Sequence, residues 1–407
     1  MLNRALLCSL VLALSTLGCQ PSHQENKEAA LKRWNHARSQ LTVDMARQQY
    51  ENGNINKAIK TVKHALETDP QSAPASLLLA QIYLEKNQLG RAREYFDKSL
   101  SLDPANAQAY YGLGIIHEKW NELEQAFASY QAAWDQQPDH IPYLLAMAET
   151  RVAQGRLADA LQILTEQAGH RNRNASVCLA AGNILTTLER HDQALRMFQR
   201  AHSANPEDLA IKESLAFALY RAGDTEKALL AFKELLDVTT AQSSDDVWAY
   251  HLALGDCHLR LAHYHDAQRC FEVVRDHDIN NPAVWTRLAQ TAIGRQDYSQ
   301  ARYYAQKALS LQNDQSEALM VLGYAALKER QYQQAQEFLN QVTKLDSRNG
   351  LAYCLLGQTL QAAGDPSQAK ACYARALEIN PQDTLARHLI RTVDQTQLGA
   401  TAVMQNF

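Results

Sequence analysis

Residues that would indicate a nucleic-acid-binding protein are scarce in this sequence. Its 407 residues include 40 Lys and Arg against 44 Asp and Glu, so the formal net charge is -4. No basic run is long enough to form a nucleic-acid or heparin patch, and the negative balance disfavours a phosphate-binding role. From this charge pattern we expect no nucleic acid among the partners.

Glycine and proline are also scarce, with 16 and 10 residues.

Motifs of the common enzyme classes are absent as well. The sequence has no nucleotide-binding glycine loop, nucleophile elbow, zinc-protease helix or zinc-finger spacing. A repeating pattern occupies residues 39–397 and leaves no room for a separate catalytic domain. We therefore expect no enzyme activity, no cofactor and no small-molecule substrate.

The number of cysteines argues against a disulfide framework. Two of the seven, Cys8 and Cys19, lie near the N-terminus, and the other five are Cys178, Cys257, Cys270, Cys354 and Cys372. An odd set of five cannot all pair, whereas a framework usually has an even count. We interpret the five as small buried apolar groups, and Cys257 with Cys270 is the one pair worth testing.

What the sequence does contain is a 34-residue repeat, seen most clearly from Gly350 to Asp383. This segment has the pattern of two short amphipathic helices joined by a Gly-Asp-Pro turn. An alanine opens the second helix of every unit: Ala58, Ala92, Ala126, Ala160, Ala194, Ala228, Ala267, Ala301, Ala335 and Ala369. A small residue recurs in the first helix: Ala46, Ala80, Gly114, Ala148, Gly182, Ala216, Gly255, Ala289, Gly323 and Gly357. Because larger side chains would separate crossing helices, we expect both positions at the helix contacts.

The pattern resembles the tetratricopeptide repeat, whose signature is W-x2-L-G-x2-Y, then A-x3-F, then P. In the last unit the matching positions are Tyr353, Leu356, Gly357, Leu360, Ala369, Tyr373, Ala376 and Pro381. The resemblance implies an all-α fold, a right-handed superhelical solenoid of about ten helix-turn-helix units with a C-terminal capping helix. The ten repeat windows are 39–72, 73–106, 107–140, 141–174, 175–208, 209–242, 248–281, 282–315, 316–349 and 350–383.

Three segments interrupt or end the array. Residues 243–247 are an insertion between windows six and seven, either a longer loop with Ser244 or Asp245 as a helix N-cap or a break at which two blocks could hinge. Residues 384–397 have the pattern of a capping helix, with Leu385, Leu389, Ile390 and Val393 on its apolar face. We expect the tail, 398–407, to be disordered.

The N-terminal segment indicates export and lipid attachment. Residues 1–19 combine Arg4 with an apolar stretch from Ala5 to Leu17, which is too short to span a bilayer. The ending Ser15-Thr16-Leu17-Gly18-Cys19 resembles the lipobox of bacterial lipoproteins, which implies cleavage before Cys19 and acylation of that residue. The alternatives are an ordinary secretory leader or an uncut membrane anchor.

The residues after Cys19 refine the expected location. Gln20 at the next position implies, by resemblance to known sorting rules, an outer-membrane protein that faces the periplasm, or the outer cell surface in a single-membrane bacterium. Residues 20–38 are a tether and an N-terminal helix: 20–28 are polar and expected to be flexible. A helix is expected from residue 29, with an apolar stripe made by Leu31, Trp34, Ala37 and Leu41. This helix either continues into the first repeat or caps the exposed end of that repeat.

Histidines are concentrated in the seventh repeat. They are His251, His258, His263, His265 and His277, with Cys257 and Cys270 nearby. A metal site is one interpretation, because imidazole and thiolate are metal ligands. However, His251 and His258 occupy aromatic positions that face the partner helix, and His263 and His265 lie in the turn. We therefore expect packed or solvated histidines and no bound metal.

The expected functional surface lies on the first helices, where repeat positions 2, 5, 9 and 12 form one stripe. In the tetratricopeptide family this stripe lines a concave groove. The resemblance therefore implies a partner-binding groove made by Arg47, Tyr50, Gln81, Tyr111, Glu118, Glu149, Asn183, Glu213, Phe217, Tyr220, Asp256, Arg260, Gln290, Tyr324 and Gln358. Aromatics mixed with acids and amides suit an extended peptide or a partner's helix. The alternative is that Phe217 and Tyr220 only fill the inside of the bend.

One ligand class is not expected in this groove. The family's carboxylate clamp, a Lys and Asn set that binds a C-terminal acid, has no match in this sequence, so we do not expect chaperone C-termini to bind.

Over residues 1–397 the sequence resembles the tetratricopeptide-repeat lipoproteins of the bacterial envelope. Members of that group help to assemble pilus secretins, type IV and Flp pili, or exopolysaccharide export pores. The resemblance implies a non-enzymatic scaffold, held at the membrane by its lipid, which binds protein partners for such a machine, in the first instance a pilus. The alternatives are an adaptor for peptidoglycan hydrolases, and a catalytic or metal-binding protein that uses the seventh repeat.

Overall fold

A computed structural model of the chain describes residues 23–167, 174–242, 247–313 and 315–404. All regular elements in these ranges are helices, and no strand occurs there. The expected all-α fold of repeated helix pairs is therefore confirmed. The chain divides into two compact units, an N-terminal unit of residues 1–204 and a C-terminal unit of residues 205–407. No helix in the described ranges has both the length and the apolar character needed to cross a bilayer.

The helices follow one another with short connections. The N-terminal unit contains α1 (His23–Glu51), α2 (Ile55–Thr68), α3 (Ala73–Glu85), α4 (Leu89–Leu102), α5 (Ala107–Lys119), α6 (Leu123–Gln136), α7 (Ile141–Ala153), α8 (Leu157–Gln162, continued by a π-helical turn over Ile163–Gln167), α9 (Ala175–Thr187) and α10 (His191–Ala204). The C-terminal unit contains α11 (Leu209–Arg221), α12 (Thr225–Gln242), α13 (Val247–Arg260), α14 (Tyr264–His277), α15 (Pro282–Gly294), α16 (Tyr298–Leu311), α17 (Ser316–Lys328), α18 (Tyr332–Leu345), α19 (Gly350–Ala362), α20 (Pro366–Ile379) and α21 (Thr384–Met404).

The two helices of a repeat pack most closely at its small residue. In the N-terminal unit, a Cβ atom added to Gly114 would lie 2.3 Å from the ring of Tyr130, and one added to Gly182 would lie 2.5 Å from Phe198. In the C-terminal unit the same contact joins Gly255 to Phe271, Gly323 to Leu339 and Gly357 to Tyr373. All ten small residues and all ten alanines of the second helix are buried, as the repeat frame predicts.

A left-handed residue ends the first helix of every repeat. Position 15 has a positive φ in all ten windows, at Gly53, Asn87, Asn121, Gly155, Glu189, Gly223, Ala262, Gln296, Arg330 and Gly364. The N–H at position 16 then donates to the carbonyl at position 11 over 2.8–3.0 Å. This is the Schellman arrangement, in which a left-handed residue lets the chain reverse and satisfies a carbonyl at the helix end. The sequence predicted a turn here but not six non-glycine residues in this conformation.

The insertion lies within the C-terminal unit. Helix α12 extends to Gln242, and across the insertion the ring of Phe232 lies 6.4 Å from that of Tyr250. The helices on either side therefore pack together, and the boundary between the two units lies at residues 204 and 205. The proposed N-caps Ser244 and Asp245 lie outside the described residues.

Both ends of the array differ from expectation. Residues 23–28, expected in a flexible tether, belong to α1, and polar residues such as Glu28 and Lys27 are good helix formers. Helix α1 continues into the first repeat, but Leu31, Trp34 and Leu41 are 58%, 66% and 69% exposed, so the stripe does not cap the repeat.

At the C-terminal end, α21 continues to Met404, although 398–407 were expected to be disordered. The final residues, 405–407, lie outside the described part. The capping role of α21 is visible in Ala386 and Val393, which are fully buried, with Leu389 and Ile390 packed beside them. Leu385 was predicted on the apolar face but is 41% exposed, and the next residue, Ala386, is buried in its place.

The contact between Gly114 and Tyr130 predicts a stability difference between two alanine variants. Gly114→Ala should cost about 1–3 kcal/mol of unfolding free energy, because its methyl group would enter the space of the tyrosine ring. A methyl group added by Gly90→Ala, at an exposed position of α4, meets nothing within 4 Å, and this variant should be up to about 1 kcal/mol more stable through helix propensity. Chemical denaturation of both variants tests this, and a stable Gly114→Ala protein would refute the close approach.

The left-handed turn predicts a stabilising glycine. Ala262 has φ +58°, a conformation that costs alanine about 1–2 kcal/mol and glycine almost nothing. Glycine also has more conformational entropy in the unfolded chain, which offsets part of this gain. Ala262→Gly should therefore raise the free energy of unfolding by about 0.5–1 kcal/mol. Ala222→Gly is the matched control, because Ala222 is exposed with φ -71°, and glycine there should destabilise by about 1 kcal/mol. Equal shifts of Tm in both variants would contradict the assigned turn.

Candidate functional site

The fifteen residues predicted for the groove all lie on first helices, and none is fully buried. Arg47, Glu118, Glu149, Asn183 and Arg260 are exposed, and the other ten are half-buried. Arg260 occupies position 13 of its repeat, one residue past the stripe. Partial exposure leaves these side chains within reach of a ligand, but their surroundings differ from one repeat to the next.

An apolar pocket lies on α15, α17 and α19 of the C-terminal unit. It has a volume of about 250 Å³ and is lined by Gln290, Ile293, Glu317, Met320, Val321, Tyr324, Leu351 and Leu355. Repeat positions 2, 5, 9 and 12 supply six of these residues, so successive first helices do bring their stripes together. Among the predicted residues, Gln290 and Tyr324 meet here.

The rim of this apolar pocket is polar. The side-chain amide of Gln290 donates to Glu317 over 3.2 Å, and the ammonium group of Lys328 lies 5.1 Å from the centre of the Tyr324 ring. Leu351 is 48% exposed although it is a large apolar residue. The pocket therefore offers an apolar floor with an amide and a carboxylate at its edge, which are groups that can bind a peptide backbone.

Tyr220 and Asp256 form a hydrogen-bonded network rather than a free surface. The hydroxyl of Tyr220 donates to Oδ2 of Asp256 over 2.9 Å, and Nε of Arg287 donates to Oδ1 of the same carboxylate over 2.7 Å. The guanidinium of Arg260 lies 4.5 Å from the centre of the Tyr220 ring. Burial and the charge of Asp256 raise the pKa of Tyr220. Arg287 was not among the predicted residues, because it occupies position 6 of its repeat, outside the stripe.

Phe217 also packs within its own unit. Its ring meets that of Phe232 edge-on, with the centroids 5.0 Å apart. Phe217 and Tyr220 thus join neighbouring helices of the C-terminal unit, and this favours their role as filling of the bend over a role in ligand contact.

The first helices of the N-terminal unit carry an acidic surface around tyrosine rings. Tyr111 lies between Tyr130 and Tyr143, with centroid distances of 5.4 and 5.1 Å, and the hydroxyl of Tyr130 donates to Glu118 over 2.8 Å. Partial burial and the negative charge of Glu118 raise the pKa of Glu149. Two carboxylates therefore lie close to one another here, an arrangement that favours a cationic ligand group.

A second acidic contact lies nearer the N-terminus. Burial, followed by a hydrogen bond to Glu85, raises the pKa of Tyr50 to about 12. Glu85 was not among the predicted residues, although it occupies position 13 of its repeat, as Arg260 does. Position 13 therefore also belongs to this surface, although the predicted stripe contains only positions 2, 5, 9 and 12.

The five histidines of the seventh repeat do not form one cluster. His277 stacks on Trp248 at a centroid distance of 5.3 Å, His265 is exposed, and burial lowers the pKa of His251. His258 and His263, by contrast, come together with Asp266, and their ligand atoms all lie within 4.8 Å of one another. The sequence reasoning missed Asp266, because it weighed histidines and cysteines alone.

The described residues contain no disulfide among the cysteines outside the N-terminal segment. The described chain has no bond between Cys257 and Cys270, so the pairing considered for them is not formed. Burial raises the pKa of both thiols to about 11. Burial raises the pKa of Cys178, Cys354 and Cys372 too, as expected for small apolar packing groups.

Sequence models of known families match most of the chain. A model of the tetratricopeptide repeat matches residues 185–249, 292–353 and 326–392, and a second model of the same repeat matches 252–318. Residues 19–163 match the model "Tetratricopeptide repeat protein 21 C-terminal ARM domain". All three models describe repeat domains.

Curated relatives are distant and longer than this chain. The CTR9 homolog of Arabidopsis thaliana is 22% identical over 76% of this chain and 26% of its own length. The anaphase-promoting complex subunit CDC16 of Saccharomyces cerevisiae is 23% identical over 67% of this chain and 29% of its own. The chain thus spans less than a third of these relatives.

Solved structures with a similar arrangement are also remote in sequence. The Cut9-Hcn1 hetero-tetramer of APC/C aligns at 14% identity and a TM-score of 0.47, over 86% of this chain and 95% of that chain. The pilF protein of Pseudomonas aeruginosa aligns at 17% identity and a TM-score of 0.44, over 50% of this chain and 93% of its own.

The acidic surface of the N-terminal unit predicts a pH-dependent effect of one substitution. The raised pKa means that folded Glu149 holds its proton more tightly than the unfolded chain does, so its ionisation destabilises the fold as pH rises. Glu149→Gln should raise Tm at about pH 7 and lose this advantage at about pH 3.5. Thermal melts at both pH values test this prediction, and Glu94→Gln, at an exposed position of α4, is the control for the loss of one charge. An equal rise of Tm at both pH values in Glu149→Gln would contradict the raised pKa of Glu149.

Proposed function

This chain is a tetratricopeptide-repeat protein, and we propose that it is a non-enzymatic scaffold that binds protein partners along its first helices. The observation that carries the proposal is the apolar pocket on α15, α17 and α19. It lies on the stripe of positions that the repeat frame assigns to ligand binding, and its lining combines apolar side chains with a few polar groups at the rim. Such a lining suits a peptide segment better than a metabolite.

The size of the pocket favours a side chain as its occupant. Its volume of about 250 Å³ is below the range of roughly 300–1,000 Å³ that is typical of small-molecule sites. We propose that an extended segment of the partner places one large apolar side chain between Met320, Tyr324 and Leu351. Gln290 and Glu317 are placed to accept or donate hydrogen bonds with the backbone of that segment.

The N-terminal unit favours a different part of the partner. Burial and then the negative charge of Glu118 raise the pKa of Glu149, so a lysine or arginine brought between the two carboxylates would stabilise their charged forms. The proposed partner therefore has a cationic group for the N-terminal unit and an apolar group for the C-terminal unit. Binding through the cationic group should weaken as pH falls and Glu149 becomes protonated.

The cellular setting is a proposal that rests on the N-terminal sequence. The lipobox-like ending at Cys19 and the following Gln20 support attachment to the outer membrane on its periplasmic side. In that setting we propose a role in assembling an envelope machine, with a type IV or Flp pilus or its secretin as the first candidate. Delivery of peptidoglycan hydrolases and export of exopolysaccharide are the alternatives.

Capture of partners in cells tests the proposed function through one pair of matched variants. Leu351 lies in the pocket and is 48% exposed, whereas Leu345 lies on α18, outside the pocket, and is 52% exposed. Leu351→Gln should weaken capture about tenfold, since removing one buried leucine contact costs about 1.5 kcal/mol. Leu345→Gln should leave capture unchanged. The measurement is cross-linking of the intact protein in its own cells, followed by identification of the captured proteins.

The identity of the captured protein separates the alternatives. A pilus or secretin subunit lost only in Leu351→Gln would support both the scaffold and the pocket. Cell-wall hydrolases lost in the same way would favour the adaptor. Equal capture by both variants would contradict the pocket as the binding site, provided that both melt at the wild-type temperature.

A further inference from the structure

The turn between α13 and α14 brings together three metal-ligating side chains that the pocket does not use. His258 belongs to the last turn of α13, His263 precedes α14, and Asp266 lies in its first turn. One ligand atom of each lies within 4.8 Å of the other two, and this is the one group of three such residues in the described ranges. We propose that His258, His263 and Asp266 bind a divalent transition-metal ion of the Zn²⁺ class.

The backbone of the repeat explains why these side chains meet. They occupy positions 11, 16 and 19, and the N–H of His263 donates to the carbonyl of His258 over 2.8 Å. The third repeat has the same turn, and there Nδ1 of His117 at position 11 lies 2.7 Å from the carboxylate of Glu122 at position 16. Side chains at these two positions therefore reach bonding distance in this backbone geometry.

The third ligand position is supported in the same way. In the fourth repeat, Nε of Arg156 at position 16 donates to Asp159 at position 19 over 2.6 Å. Positions 16 and 19 thus also reach one another in this turn. Among the ten repeats of the sequence, the seventh alone has a potential metal ligand at all three places.

The imidazole of His258 provides a second, independent indication of a ligand. The residue is 6% exposed, and its Nδ1 is buried with no hydrogen-bond partner. Leaving a buried nitrogen without a hydrogen-bond partner costs free energy. Binding of a metal ion to the imidazole, directly or after the ring rotates toward the ion, would remove that cost. The ring of His263 is 5.7 Å away, centroid to centroid, and makes no capping hydrogen bond to α14.

Charged neighbours surround the proposed ligands. The guanidinium of Arg269 donates a hydrogen bond to the carboxylate of Asp266. Lys233 and Arg269 are the cations that oppose a metal ion here. Arg269 is 76% exposed, so its side chain can turn into solvent when the carboxylate binds a metal.

Donor type and access define the class of ion. Two imidazoles and one carboxylate are a donor set typical of Zn²⁺, with a fourth position left for water. A polar cleft of about 440 Å³ adjoins the site and is lined by Ala262, His263, Tyr264, His265, Asp266 and Arg295.

Equilibrium dialysis of the untagged full chain against ZnCl₂, with metal quantified by mass spectrometry, tests the site. We expect one zinc ion per chain, and at least tenfold weaker binding by His263→Ala and by Asp266→Asn. His263 is exposed and Asp266 is half-buried, so both variants should fold. His265→Ala is the matched control, because His265 is exposed and lines the same cleft without belonging to the triad. It should bind zinc as the wild type does.

A second measurement reports on coordination rather than on amount. Loading with Co²⁺ should give the visible absorption of a four-coordinate site in the wild type and in His265→Ala, and it should be lost in His263→Ala. No stoichiometric zinc in the wild type would overturn the proposal. Equal loss in His265→Ala and His263→Ala would also overturn it, since general histidine binding would then account for the result.

Discussion

Each repeat depends on one close approach between its two helices. In the five repeats whose small residue is glycine, a tyrosine, phenylalanine or leucine of the second helix lies where a Cβ atom would otherwise be, as Tyr130 does at Gly114 and Phe271 at Gly255. The other five repeats have a buried alanine at the same position. No polar partner is needed for this contact, so it can recur wherever a small residue faces a large one. The repeated burial of these pairs builds apolar clusters that join neighbouring repeats within each unit, without strand pairing in the described residues.

That contact determines which surface remains for binding. Because the second helix covers one side of the first, the opposite side of the first helix is left partly exposed, and its residues come together between neighbouring repeats. In the C-terminal unit they form the apolar pocket that includes Gln290 and Tyr324, and in the N-terminal unit they form the acidic surface at Glu118 and Glu149. The same turn geometry that reverses the chain also places His258, His263 and Asp266 together.

The fold was predictable because its determinants are local and periodic: ten small residues and ten alanines, at a fixed spacing, are all buried. The surface was less predictable, because whether a stripe residue is free depends on contacts between repeats. The hydroxyl of Tyr220 donates a hydrogen bond to Asp256 in the next repeat, on the other side of the insertion. Glu85 contacts Tyr50 on this surface although it occupies position 13, outside the stripe. Helix ends were also missed, since Glu189, Ala262 and Arg330 take a left-handed conformation that their residue types do not favour.

Hydrogen–deuterium exchange of the full chain, alone and with its captured partner, is the most direct test of binding through the first helices. Partner binding should slow exchange in α15, α17 and α19 and leave exchange unchanged in the exposed parts of α16, α18 and α20. Slower exchange confined to the second helices would contradict it, because the partner would then contact the side of the repeats opposite the apolar pocket.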